Sequence, residues 1–310
     1  MSAYVRPPKL MSMAEAVARF VPDGASVCMG TALEAVIPFA AGHELIRQGR
    51  RDLELIGPIS DILFDQLVGA GCVRRIAAAW VGNVSAGLGH NYRRAVEKGI
   101  PHRIEVHDHS NFTLALALQA AAIGAPYIPT VSLLGADLPS TNPTFRRGQD
   151  PWGGGPVLLV PALIPDVAIL HVQRADAEGH AHLWGTLGVT REAALGARRV
   201  IIVAEEILPR ERILADPNLV LAPDFKVAAV VHEPFGAYPS PVQGHYRRAH
   251  DVYQRYHEET RTVEGTARWL DHWVRGVADW KGFLGRLDPG ALEAVRVRRA
   301  LLADPLDYGT

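Results

Sequence analysis

The stretch Glu105-Val-His-Asp-His-Ser-Asn-Phe-Thr-Leu-Ala-Leu-Ala-Leu-Gln-Ala-Ala-Ala-Ile-Gly-Ala-Pro-Tyr-Ile-Pro-Thr130 sets a short apolar segment, a polar turn and a long apolar run end to end. Residues 104–106 read as a buried strand. Ser110, Asn111 and Thr113 then stand where a helix needs polar partners for its first free N–H groups. Residues 113–123 read as the helix, and Gly124 supplies the positive φ on which helices commonly end. At the mouth of a cleft, the N–H groups and side-chain amide of such a helix start would be fixed donors for a developing negative charge. The site suggested this way is made of donors alone.

The same alternation extends in both directions. Residues 26–29, 52–56 and 75–80 read as buried strands, and residues 14–20, 38–48, 61–70 and 92–98 as helices, with Gly49, Gly71 and Gly99 closing three of them. Strand–helix alternation predicts an α/β fold, an open and mostly parallel sheet flanked by helices. A loop over residues 137–156, rich in Pro, Gly, Ser, Thr and Asn, opens the second half and has the length of a functional loop or an interface. Residues 167–172, 199–204 and 226–231 read as three more strands. From Tyr246 the chain turns helical and amphipathic, and Trp269, Trp273 and Trp280 repeat at a spacing that makes a packing face, with the helices themselves a candidate interface. At 310 residues, the expected organisation is one α/β domain over residues 1–245 and a helical extension over residues 246–310 packed on it.

Composition narrows the function. The 32 Lys and Arg against 33 Asp and Glu, with acidic residues beside each Arg pair, leave no electrostatic footprint for nucleic acid. Cys28 and Cys72 sit far apart in apolar surroundings and fit a reducing compartment. Arg6, Lys9, Glu15 and Arg19 break up any signal-peptide core, and Pro161, Pro165 and Asp166 interrupt the longest apolar run, residues 157–172. A soluble cytoplasmic protein with no membrane contact is the expectation.

Familiar cofactor and catalytic motifs fall away. Gly87-Leu-Gly89-His-Asn-Tyr92 puts Tyr where a dinucleotide fingerprint needs its third glycine, and no phosphate-binding P-loop is present. His107 with His109, and His180 with His182, have strand-face spacing but no acidic or cysteine partner at a ligand spacing, so no metal is expected. No G-x-S-x-G nucleophile elbow occurs. Glu105 and Asp108 are candidate acids or bases, although carboxylates beside a helix start commonly serve as dipole partners.

Together with this block, Asp23-Gly-Ala-Ser-Val-Cys-Met-Gly30, Arg47-Gln-Gly-Arg-Arg-Asp-Leu-Glu-Leu-Ile-Gly-Pro-Ile-Ser60, Trp80-Val-Gly-Asn83 and Pro161-Ala-Leu-Ile-Pro-Asp-Val-Ala-Ile-Leu-His-Val-Gln-Arg-Ala-Asp176 resemble the family I coenzyme A transferases, in particular the α subunit of the glutaconate CoA-transferase type. The resemblance runs in family order from about Asp23 to about Tyr246. It implies an α/β subunit that pairs with a homologous β subunit in a heterooligomer, with the active site between them. It further implies transfer of CoA from a short acyl-CoA to a free acid, including dicarboxylic and 3-oxo acids, with the CoA thioester as substrate and no permanently bound cofactor. A glutamate of the β subunit is the expected nucleophile, carrying a glutamyl-CoA intermediate. A carboxylate suits this role because it is already anionic near neutral pH.

Carried over residue by residue, the amide donor of the oxyanion hole falls on Asn111, with Ser110 and Phe112 shaping the pocket beside it. Gly30, Ser60, Gly82 and Asn83 fall on the lining of the acyl and CoA pocket. The chain departs from the family at Gly57-Pro58-Ile59, where 3-oxoacid transferases carry Asn-Asn, and at Asp176-Ala-Glu-Gly-His180, where the family turn ends in Asn. In a ring-cleaving hydrolase branch an acidic residue takes the place of Asn111, so Asn111 favours transfer. The alternatives are a CoA-thioester hydrolase or C–C cleaving relative using Glu105 or Asp108, and a non-catalytic scaffold subunit.

Overall fold

Val27 and Cys28, both without accessible surface, lie in a three-residue strand at the centre of the sheet. The computed structural model describes residues 9–297. The expectations for Arg6 and for Arg298-Arg299 at the end of the extension lie outside the described residues. Seven parallel strands, β1 (Ser26–Cys28), β2 (Leu53–Ile59), β3 (Val73–Trp80), β4 (Glu105–Asp108), β5 (Val167–Ala175), β6 (Arg199–Ile207) and β7 (Val227–His232), take the spatial order β7-β6-β5-β1-β2-β3-β4. A two-residue strand, Ala181–His182, returns antiparallel on the end of β5. Strands this apolar are covered on both faces, as parallel sheets require.

The chain steps outward from β1 to β4 and then returns to lay β5 on the other side of β1. Right-handed crossovers therefore put α2 (Phe39–Arg47), α3 (Asp61–Gly69) and α4 (His90–Lys98) on one face and α5 (Asn111–Ile123) with α6 (Thr190–Gly196) on the other. Helix α1 (Met13–Phe20) packs on α2 and β7. Gly196 permits the close crossing of α5 and α6, since a methyl there would lie 2.9 Å from Ala121 Cβ. Helix α5 starts two residues before the apolar run because of its cap. Ser110 Oγ accepts from Thr113 N at 3.0 Å, and Thr113 Oγ1 accepts from Ser110 N at 2.9 Å.

Several elements are not expected from periodicity. The loop read over residues 137–156 contains a short helix, Leu138–Thr141, and a strand, Arg146–Gln149. That strand joins Tyr127–Thr130 and Pro156–Pro161 in a separate antiparallel sheet, with Pro156–Pro161 in the middle. Its residues, Arg-Arg-Gly-Gln, carry no apolar alternation, so only the backbone pairing reveals it.

Of the C-terminal helices α7 (His250–Glu259) and α8 (Val263–Leu270), α8 packs on α3 and α7 reaches it through Tyr256 Oη, which donates to Asp65 Oδ2 at 2.7 Å, and the chain beyond them returns to α2. Trp269, Trp273 and Trp280 are buried. Trp280 stacks on Phe283 at 4.3 Å, meets the edge of His43 at 5.2 Å and donates its Nε1–H to Phe235 O at 3.1 Å. The aromatic stripe therefore faces the chain's own core and does not present an outer surface. Trp280→Ala leaves a cavity and an unpaired carbonyl, and should lower unfolding free energy by about 3–5 kcal/mol, read from the midpoint of denaturant unfolding.

Candidate active site

The parallel strands present their carboxyl ends along one edge, and β1 and β5 mark the point where the strand order reverses. Ligands of open α/β sheets bind outside such an edge. Here the chain itself closes the reversal point. Val189 N donates to Thr31 O at 2.9 Å, and the hydroxyls of Thr31 and Thr190 lie 2.8 Å apart. The edge open to other molecules therefore lies toward β2, β3 and β4.

Gly30, Gly57 and Ser60 form one tight, buried group on this edge. A methyl on Gly30, at φ +63°, would lie 2.9 Å from Ser60 Cα, and one on Gly57 would lie 2.9 Å from Ser60 Oγ. Ser60 Oγ donates to Met29 O at 3.1 Å. Gly82 and Asn83 form a small antiparallel ribbon with Gly87 and Leu88. The Asn83 side chain is buried, donating to Tyr253 O at 2.8 Å and accepting from Ser85 N at 3.0 Å, so it ties the extension to the edge.

Asn111 and Phe112 are exposed at the start of α5, Phe112 by 52%. Thr113 N is capped, and the first intrahelical bond is Leu114 N to Ser110 O, so the N–H groups of Asn111 and Phe112 have no acceptor within the helix. The Ser110 hydroxyl is engaged in the cap. Three strand spacings separate the ends of β1 and β4, about 14 Å. Gly30 and Ser60 thus stand together, whereas Asn111 and Phe112 lie farther along the same edge.

Of the alternative acid and base candidates, Glu105 lies at the opposite end of β4 from Asn111, whereas Asp108 ends that strand on the same edge. Glu105 begins β4, at the amino end of the sheet. It is paired with Arg75 Nε at 2.8 Å and His107 Nε2 at 2.7 Å, and these bonds hold its carboxyl below the usual range. Asp108 is exposed, and its backbone O accepts from Asn142 Nδ2 at 2.7 Å. His180 is bonded to Asp176 Oδ2 and His182 to Ile213 O, each at 2.7 Å. No group of three His, Cys, Asp or Glu side chains among the described residues could hold a metal. At Gly89 a methyl would lie 2.9 Å from Asp65 Oδ1, so an acidic group stands where a phosphate would have to approach.

A cluster not anticipated from sequence lies behind the edge. Leu33, Val36 and Asp61 adopt positive φ values of 63°, 48° and 48°, a conformation that costs non-glycine residues on the order of 1–3 kcal/mol each. The segment after β7 holds them in place. Val36 N donates to Pro241 O at 3.0 Å, Ser240 Oγ donates to Glu34 O at 2.8 Å, and Arg248 Nη2 donates to Asp61 Oδ2 at 2.6 Å. Burial raises the Asp61 carboxyl to about 6, against the pull of Arg248. Nothing in residue type marks Leu33 or Val36 for a left-handed backbone, and Ser60-Asp61 reads as an ordinary helix start.

Beside α5, a cavity of about 600 Å³ opens on the small sheet between Tyr127, Pro129, Val131, Trp152 and Leu159, with Trp152 90% exposed and Val131 71%. No described helix is long and apolar enough to cross a membrane.

A coenzyme A transferase model matches residues 10–233. The chain belongs to the coenzyme A transferase family. It is 39% identical over 282 residues, 91% of this chain and 99% of the relative, to the A subunit of 3-oxoadipate CoA-transferase from Pseudomonas knackmussii. The crystal structure of glutaconate coenzyme A-transferase from Acidaminococcus fermentans superposes with a TM-score of 0.87 at 27% identity, covering 96% of this chain and 98% of that one. A chain from a variant of the decarboxylase AibA/AibB superposes with a TM-score of 0.72 at 31% identity, over 85% of this chain and 99% of that one. The open parallel sheet expected from the sequence is the fold of this family of enzymes.

His109 gives a pH test of the packing beneath Asn111. Its ring meets Phe145 edge-on at 5.2 Å, and burial, with His107 adding, pushes it down to about 4. The unfolded chain takes up this proton near pH 6.5 and the folded chain only near 4. The stability it contributes is complete above the unfolded value and is lost as pH falls toward the folded one. His109→Gln should flatten the decline of the thermal midpoint between these two values.

Proposed function

We propose that this chain is the α subunit of a heteromeric CoA-transferase and supplies the donor half of an active site shared with a homologous β subunit. The observation that carries the reading is the 39% identity to the A subunit of a CoA-transferase across 91% of the chain. The unengaged start of α5 fits it. A glutamate carboxylate of the partner attacks the acyl-CoA carbonyl and expels CoA thiolate, leaving an acyl–glutamyl anhydride. The thiolate attacks the glutamyl carbonyl and releases the first acid, and the acceptor carboxylate reverses both steps. Each attack places negative charge on a carbonyl oxygen. The Asn111 amide, with the free N–H groups beside it, donates to that oxygen.

In this reading Phe112 and Ser110 flank the acyl group, while the buried Gly30, Ser60, Gly82 and Asn83 lie beneath the surface along which the acyl and CoA portions lie. Residues 1–245 act as the CoA-transferase unit and residues 246–310 as an extension fastened to it. Short dicarboxylic or 3-oxo acids are the substrate class, by the names of the relatives. The buried free thiols of Cys28 and Cys72 fit work in the cytoplasm.

The test is to purify the complex with its partner. Asn111→Ala should lower kcat by about 10²–10³-fold, and incubation with acyl-CoA should leave a CoA adduct on the partner. Undiminished turnover would remove Asn111 from the oxyanion hole. Free CoA or CO₂ released without transfer to an acceptor would support a hydrolase or a decarboxylase, and full activity of the isolated partner would reduce this chain to a scaffold.

The exposed apolar face around Tyr127, Val131 and Trp152 is proposed to dock the β subunit, as buried aromatic anchors commonly do. Trp152→Ser should weaken assembly by about 2 kcal/mol, roughly thirtyfold in Kd, with an unchanged thermal midpoint for the isolated chain. Analytical ultracentrifugation across a concentration series measures it.

A further inference from the structure

The side chain of Arg248 is 2% exposed and that of Asp61 not at all. Between them they reach the loops that follow three successive strands. Asp61, directly after β2, accepts from Arg248 Nη2 at 2.6 Å and from Val84 N at 3.1 Å, in the loop after β3. The same Arg248 nitrogen donates to Ser85 Oγ at 3.0 Å, and Arg248 Nη1 lies 3.7 Å from Glu34 Oε2, in the loop after β1. The Tyr253 ring backs the guanidinium, 3.7 Å from its central carbon, and Gln254 Nε2 donates to Ser85 O at 2.9 Å. These are the loops that frame Gly30, Ser60 and Gly82.

We infer that Arg248 and Asp61 are positioning residues that hold the loops after β1, β2 and β3 in the shape that CoA transfer uses. The inference rests on the CoA-transfer reading given above. Stability alone does not account for the arrangement. A buried ion pair is often replaceable by apolar packing without loss, and Asp61 sits in a left-handed conformation that costs every residue but glycine, though aspartate less than most. The partners of the pair are edge loops, whereas the apolar core of the sheet is complete without it. A guanidinium suits the task because Nη2 presents two donors in fixed in-plane directions, one to Asp61 and one to Ser85, whereas a lysine ammonium is a freely rotating point charge. A loop displaced by about 1 Å from the reacting groups costs about a hundredfold in rate.

The experiment compares Arg248→Gln, Arg248→Lys, Asp61→Asn and the double Asp61→Asn/Arg248→Gln with wild type, each assembled with its partner. The expected result is a kcat lowered by about a hundredfold in Arg248→Gln with KM for acyl-CoA held. Arg248→Lys should recover part of the loss, and the double variant should lose no more than either single one, as residues acting as a unit do. Wild-type kcat in the assembled Arg248→Gln complex overturns the inference, as does a loss that only tracks the folded fraction. Should Arg248→Gln fail to fold, Arg248→Lys decides: reduced kcat supports the inference and wild-type kcat overturns it. If the wild-type complex transfers no CoA, the functional reading fails separately. Amide exchange at Val84 then reports on loop holding, and unchanged protection in Arg248→Lys overturns that too.

Discussion

Two halves of the sheet meet along a three-residue strand whose partners on the other half lie 140 residues away in the chain. The β1–β5 ladder pairs only Val27 with Val167 and Cys28 with Ala168. A reciprocal clamp fixes its start: Asp166 Oδ2 accepts from Ser26 N at 2.9 Å and from Ser26 Oγ at 2.8 Å, while Asp166 N donates to Ser26 Oγ at 2.9 Å. The register of the whole edge follows from this pairing. A slip of one residue between β1 and β5 would turn the side chains of one half of the sheet to the opposite face relative to the other.

Because the join lies at the amino ends of the strands, their carboxyl ends need holding of their own. The segment after β7 supplies it, pinning the loop after β1 through Pro241 and Ser240 and the start of α3 through Arg248. The C-terminal helices continue the same function by other contacts. Asn83 meets Tyr253, and Asp65 accepts from both Tyr256 Oη and Asn91 Nδ2. The packing joins the residues before and after Tyr246 at the carboxyl edge of the sheet.

What could be read from the sequence follows from where each signal is written. The strand–helix alternation is carried by apolar side chains and glycine stops, so β1 to β7 and α5 are legible. The carboxyl ends of β2, β5 and β6 extend farther than the apolar runs, through Gly57-Pro58-Ile59, Gln173-Arg174-Ala175 and Glu205-Glu206-Ile207. Those residues keep the strand backbone but not the apolar pattern, because they lie at the carboxyl edge of the sheet, where the strands run into the loops. Asn111 could be placed at a helix start from local chemistry alone. The Asp61–Arg248 contact joins residues 187 apart and carries no local signal, and the left-handed backbones of Leu33 and Val36 are imposed by their tertiary partners.

The electrostatics of the carboxyl edge fit the proposed role of this chain as a supplier of donors. Glu205 accepts from His171 Nε2, from Tyr246 Oη and from Phe235 N, at 2.7, 2.5 and 2.7 Å, and Asp61 is held by Arg248 and Val84. Carboxylates with their lone pairs occupied in this way are poor nucleophiles. Burial, reinforced by Asp279, raises Glu233 to about 7, leaving it partly protonated near neutral pH. By contrast, the amide of Asn111 and the first N–H groups of α5 have no acceptor within the helix. In the proposed reading, a reaction that needs an anionic nucleophile and a site for an oxyanion divides between two chains, the partner bringing the carboxylate and this one the donors that meet the charge it creates.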